Sequence, residues 1–238
     1  ILIGLVGSEM CIRDRICCGG CLWGSMGVAN MARSCGARAV HGQPDLRGAG
    51  LSGGERMIQL PDAQELSLDD ETWARACRAA SERRVDDVDL LAAQTTLSEA
   101  GRWDGVYVLS VMAGLETSVL IDADDRVFID WGTAGQVTLQ PPVGGRLPFK
   151  LWVHTHPRFA AYWSSTDTNS LSLGARILES AMVLGQPGPK HSNNRSMVAV
   201  EDTSMLGDAG PLSHWTDEEP VPWGEWYVQN NIATEEME

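Results

Sequence analysis

The chain has 238 residues, 43% of them hydrophobic and 21% charged, the composition of a folded protein and not of a fibrous or disordered one. Its formal net charge of −14 disfavours a nucleic-acid partner, because phosphate contacts need clustered Lys and Arg. No apolar stretch reaches the roughly 18 residues of a membrane span, and Ile1–Val6 is broken too soon by Glu9, Arg13 and Asp14 to be a secretory core, so a soluble, cytoplasmic protein is expected.

Most of the cysteines lie in the first 35 residues, and Cys18-x-x-Cys21 has no second ligand pair at a usable spacing. Gly4–Asp14 resembles the translation of a sequencing-library adapter. The stretch from there to Arg56 is rich in Gly, Ala, Ser and Arg without a period. The expectation is a non-native or disordered leader over 1–56, adapter-like over 1–15. Met57 is then the native start, behind a run (Gly53–Arg56) whose purine-rich codons resemble a ribosome-binding site. Gly50-Leu51-Ser52-Gly53-Gly54 matches an esterase pattern by letters only, with no strand before it or helix after it.

Residues 57–100 read as a helical part. Asp69 or Asp70 can cap a helix through Trp73, Ala76, Cys77 and Ala80, and Val88, Leu91, Ala92 and Thr95 repeat at helical spacing. These are packing positions, and Cys77 is a small buried hydrophobe. Residues 101–205 form the expected main domain. There Val106–Met112, Leu115–Ile121, Arg126–Trp131 and Gln136–Leu139 read as short strands broken by Gly114, Asp122–Asp125 and Gly132–Gly135. Asp122–Asp125 is expected to be a solvated hairpin turn, since it lacks the ligand spacing of a calcium loop.

A loop over Pro141–Pro148 leads into Leu151-Trp152-Val153 and then His154-Thr155-His156-Pro157, with Ser164-Ser165-Thr166-Asp167 following after six residues. Alternate strand residues share a face, so His154 and His156 can reach one cation if Lys150–His156 is a strand. Asp167 returns as a third ligand from the first turn of a following helix. Two imidazoles and a carboxylate, with a fourth position left to water, make a catalytic zinc arrangement. Each piece has a plainer reading: two polar side chains on an exposed strand, or Ser164 capping a helix whose third residue is acidic. The joint spacing is what points to metal.

Beyond the motif, Leu171, Ala175, Leu178 and Met182 suit the buried stripe of a helix. Ala181–Leu184 and Met197–Val200 look like strands joined by a flexible Gly185–Asn194 loop, with His191 and His214 left as loop residues. Residues 206–238 read as an acidic tail, partly disordered, whose Trp215, Trp223 and Trp226 cover one edge of the domain or dock a partner.

The H-T-H-P-x6-S-S-x-D run resembles the JAMM (MPN+) metalloprotease motif, closest to its deubiquitinating isopeptidase branch. The resemblance implies an α/β (α+β) domain of cytidine-deaminase-like type, a central mixed sheet flanked by helices. It implies that His154, His156 and Asp167 bind Zn2+. It also implies that Glu116, in Leu115–Leu120, is the general base and that Ser164 helps stabilise the oxyanion. Glu99 is the other upstream glutamate, set apart from the next apolar run by Gly101 and Gly105. The implied substrate is the C-terminal tail of a ubiquitin-like or sulfur-carrier protein, hydrolysed at an amide or isopeptide bond. Deubiquitinating relatives carry longer insertions around the site. The short interval between Glu116 and His154 therefore favours a compact prokaryotic-type protease over one selective for chain linkage.

Other classes stand beside this one. A non-catalytic MPN-type scaffold would keep the fold for protein contacts alone. A zinc deaminase would need H-x-E with a following P-C-x-x-C, and a helical zinc protease H-E-x-x-H; neither is present.

Overall fold

The structure, a computed structural model, describes residues 68–201 and 203–232. The leader expected over 1–56 and the proposed start at Met57 lie outside the described residues. No helix among the described residues is long and apolar enough to cross a membrane.

Three helices come first: α1 (Asp70–Ser81), α2 (Val88–Glu99) and α3 (Trp103–Ala113). Asp69 caps α1 by accepting the Thr72 N–H at 2.8 Å, which satisfies a donor the helix cannot satisfy internally. Its apolar positions bury Trp73, Ala76, Cys77 and Ala80, as their spacing predicts. Asp87 caps α2 in the same way.

The third helix corrects the sequence reading, which expects a strand over Val106–Met112. Nearly every residue of α3 is buried. A helix hidden on all sides has no polar stripe, so its run of Val, Tyr and Leu carries strand propensity without helical periodicity. Gly105 lets α3 approach α2, since a Cβ there would stand 2.8 Å from Leu97 Cδ2. Gly114, at φ 62°, then ends the helix in the left-handed conformation.

The remaining elements are β1 (Thr117–Ile121), β2 (Val127–Trp131), β3 (Phe149–Ala160), α4 (Ser165–Gly174), β4 (Leu178–Gln186), β5 (Pro189–Asn193), a 3-10 turn (Pro211–His214) and α5 (Trp223–Gln229). The strands form one mixed sheet in the order β2-β1-β3-β4-β5; β3 and β4 are parallel, joined through α4, and the other pairs are antiparallel. Alternation sorts the side chains into two layers. Val119, Val153 and Met182 join the core beneath the first three helices. Leu120, Trp152 and Ala181 face the other way, into a second cluster with Phe149, Leu171, Leu178 and Trp215. The molecule is thus a mixed sheet with helices on both faces, and the first three helices share one core with it.

Several other expectations change. Gln136–Leu139 and Met197–Val200 are not strands. Leu178 and Met182 belong to β4 and not to the preceding helix, while the polar segment expected as a flexible loop contains β5. The Asp122–Asp125 turn does join β1 to β2, but Asp122 is buried, accepting backbone N–H bonds from Asp124, Arg126 and Arg146. The tail is built into the fold as far as residue 232. Trp215 is fully buried and donates its indole N–H to the Leu171 carbonyl at 3.0 Å. Thr216 exchanges hydrogen bonds with Asn193 on the free side of β5, and Trp223 stacks on Tyr107 at 5.6 Å.

Candidate metal centre

β3 carries His154 and His156 on one face, both buried, with ring centroids 5.1 Å apart. His154 lies flat against Trp152, two residues earlier on the same face, at 4.6 Å and an interplanar angle of 19°. That indole is itself fixed by donating to Ser118 Oγ at 2.9 Å. His156 points its Nδ1 at the Ala160 carbonyl, 3.1 Å away. A carbonyl only accepts, so Nδ1 carries the proton and a neutral ring keeps its lone pair on Nε2.

The third group arrives by a local device. Ser164 caps α4, its Oγ accepting the Asp167 N–H at 3.2 Å, while Asp167 Oδ2 accepts the Ser164 N–H at 2.7 Å. This reciprocal capping box orients the Asp167 carboxylate toward β3. Oδ1 then lies 3.1 Å from His154 Nε2, and Oδ2 lies 3.5 Å from His156 Nε2. The plain capping reading and the ligand reading of Asp167 are compatible, and one carboxylate meets both geometries.

Three ligand atoms, one from each residue, lie within 4.8 Å of one another. Zinc bonds of about 2.0–2.2 Å at tetrahedral angles separate neighbouring ligand atoms by roughly 3.3–3.5 Å, and each histidine Nε2 stands at a comparable distance from one oxygen of the Asp167 carboxylate. Neither ring nitrogen of buried His154 has an aligned hydrogen-bond partner, and its Nε2 stands among atoms that could share a cation. These residues fit a divalent metal.

The electrostatics of the two histidines differ: without a metal, His154 is held neutral while His156 is drawn toward its charged form. Burial disfavours the imidazolium of His154 and pushes its pKa down despite the neighbouring carboxylate, leaving a neutral donor. Burial acts to raise Asp167, but the closeness of both histidines and the bonding to Ser164 outweigh it and hold the carboxyl well below its usual range. Burial likewise opposes charge on His156, yet Asp167, the Ala160 carbonyl and Glu116 together raise its pKa. Glu116 is pushed up to about 7, chiefly by burial and further by the negative charge of Asp167, against the pull of His156.

A cleft of about 190 Å3 opens over the centre, lined by Glu116, His156, Ser164 and Asp167, with the Gly135–Val137 loop and the half-exposed rings of Phe159 and Tyr162. His154 lies buried behind it. Glu99, the other upstream glutamate, is exposed at the end of α2 and does not line this cleft. His191 belongs to β5 and His214 to the 3-10 turn, where its Nδ1 bonds Ser196 Oγ at 2.8 Å; neither is in the cluster. The sequence reading places Trp152 only in the apolar run before the motif and takes Gln136–Leu139 as a strand, giving neither these residues nor Phe159 a part in the site. Only Trp152 leaves a signal in the chain, lying two strand positions before His154.

No protein-family model matches the chain, and neither a curated protein nor a solved structure matches it.

Proposed function

We propose that the chain is a zinc-dependent hydrolase of the JAMM/MPN+ type. On this reading the mixed sheet is a JAMM/MPN domain with the cytidine-deaminase-like fold. It acts in the cytoplasm on an amide or isopeptide bond at the C-terminus of a ubiquitin-like or sulfur-carrier protein. The observation that carries the proposal is the convergence, on one cleft, of Glu116 and Ser164 with His156 and Asp167.

Zinc held by His154, His156 and Asp167 would supply a water of lowered pKa and a positive charge for the scissile carbonyl. Glu116, whose carboxyl is held above its ordinary pKa by burial and lines the same cleft, would act as the base that takes a proton from an attacking water and returns it to the leaving amine. The Ser164 hydroxyl accepts the Asp167 N–H and lines the cleft, so its own hydrogen can turn toward a developing oxyanion. His154, neutral in its buried position, needs no proton removed before it can ligate. A narrow cleft of about 190 Å3 has room for a thin extended segment at the centre, which is compatible with a flexible tail as the substrate.

The test is hydrolysis of ubiquitin-like and sulfur-carrier proteins bearing a fluorescent C-terminal extension, by the zinc-loaded chain. Cleavage that falls at least about 100-fold in Glu116→Gln supports the proposal. Equal cleavage by that variant removes Glu116 as the base. A folded, zinc-loaded chain inert toward every tail leaves the scaffold reading in its place.

A further inference from the structure

Glu116 sits just before β1, where main-chain pairing to β3 has already ended at Ser118 opposite His154. Its own N–H and carbonyl are held from the β2 side, by the Thr133 carbonyl and the Gly132 N–H, each at 2.8 Å. On the β3 side a hydroxyl takes over from the ladder: Thr155 Oγ1 accepts the Thr117 N–H at 2.9 Å. Thr155 lies between the two histidines in sequence, so strand alternation turns it to the opposite face, toward α3.

The relay has only one consistent direction. Ser110 Oγ, on α3, is 2.6 Å from the Leu115 carbonyl, which can only accept, so the single Ser110 hydroxyl proton goes there. Ser110 Oγ is also 2.5 Å from Thr155 Oγ1, and Thr155 must then be the donor of that pair. The chain runs from Thr117 N–H through the Thr155 and Ser110 hydroxyls to the Leu115 carbonyl. Its two ends are the peptide groups on either side of Glu116. Ser110, Thr155 and Thr117 are fully buried, so water does not substitute for a lost link.

We propose that Thr155 is a positioning residue: its hydroxyl, completed by Ser110, sets the Glu116 carboxylate relative to the two histidines on its own strand. The inference rests on Glu116 being the base. The same three-residue run then both presents the ligands and locates the proton carrier.

The experiment compares Thr155→Val, which keeps shape and removes the hydroxyl, with Thr155→Ser and Ser110→Ala, all in the full chain. With the fluorescent C-terminal extension as substrate, Thr155→Val lowers kcat by about 10- to 100-fold with KM within about twofold, while Thr155→Ser stays within about threefold of the wild type. Zinc content is unchanged in all three. Hydrogen exchange at the Thr117 amide gives a readout independent of turnover. It accelerates at least about tenfold in Thr155→Val and not in Thr155→Ser. Should Thr155→Val not fold, Ser110→Ala carries the test through a lower kcat at constant zinc. Full activity in a folded, zinc-loaded Thr155→Val or Ser110→Ala overturns the proposal, as does equal loss in Thr155→Ser and Thr155→Val. An inactive wild type with the exchange difference intact would instead overturn the base reading and leave the tether standing.

Discussion

Ser164 and Asp167 hold each other: each accepts the other's backbone N–H through its side chain, at 3.2 and 2.7 Å. The carboxylate that closes this capping box also faces His154 and His156. Helix initiation and the orientation of this candidate ligand therefore depend on the same atoms, so substitutions can separate them by chemistry but not by position.

Asp167→Asn keeps an acceptor for the Ser164 N–H and removes the charge. The metal-free variant should fold, with a helix cap weakened by no more than about 1 kcal/mol, yet lose its zinc. Elemental analysis beside a thermal melt checks both halves; retained zinc would contradict the ligand assignment.

Ser164→Ala removes the cap and the hydroxyl together. A stability loss of about 0.5–2 kcal/mol is expected from the cap, and a fall in kcat of about 100-fold from the lost oxyanion donor. Denaturant titration and steady-state kinetics on one preparation measure the two effects. A stability loss with unchanged kcat would confine Ser164 to the cap.

Activity should rise with pH across the range in which Glu116 loses its proton, because only the carboxylate can act as a base; the charge of bound zinc would move that range below the metal-free value of about 7. In the metal-free protein the same group works against stability. Its folded pKa of about 7 lies above its ordinary 4.5, so its contribution is full below about 4.5 and is lost as pH rises through 7. Glu116→Gln should accordingly raise the metal-free Tm at pH 8 more than at pH 5. Equal Tm differences at the two pH values would contradict the shifted pKa.

Trp215 tests whether the C-terminal segment belongs to the domain. Its ring is fully buried with Trp152, Phe149 and Leu178, and Trp152 in turn stacks on His154. Trp215→Ala should cost about 3–5 kcal/mol, measured by chemical denaturation. A loss below about 1 kcal/mol would mean the segment merely rests on the surface.

What could be read in the chain follows from how local each interaction is. The two histidines needed only strand alternation, and Asp167 needed only a capping pattern, so that cluster was visible in advance. Asp69 and the Trp73 stripe were legible for the same reason. Pairing between distant segments was not. Placing Glu116 over Glu99 leaned on a resemblance, because its approach to the cleft depends on β1 lying against β3. β5 looked like loop because Lys190, His191 and Asn193 are polar. Part of its support comes from Thr216 and Glu218, which bond Asn193 from more than 20 residues away. Trp215 reads as part of a tail because its acidic surroundings hide how completely the ring is buried. The Thr155–Ser110 link joins a strand to a helix that the sequence reading took for a strand.

The most direct measurement is the zinc content of the purified full chain beside His156→Ala, each folded under zinc-replete conditions. The account predicts about one zinc per wild-type chain and little in the variant. A folded wild-type chain without zinc, or zinc that persists undiminished in His156→Ala, would contradict it.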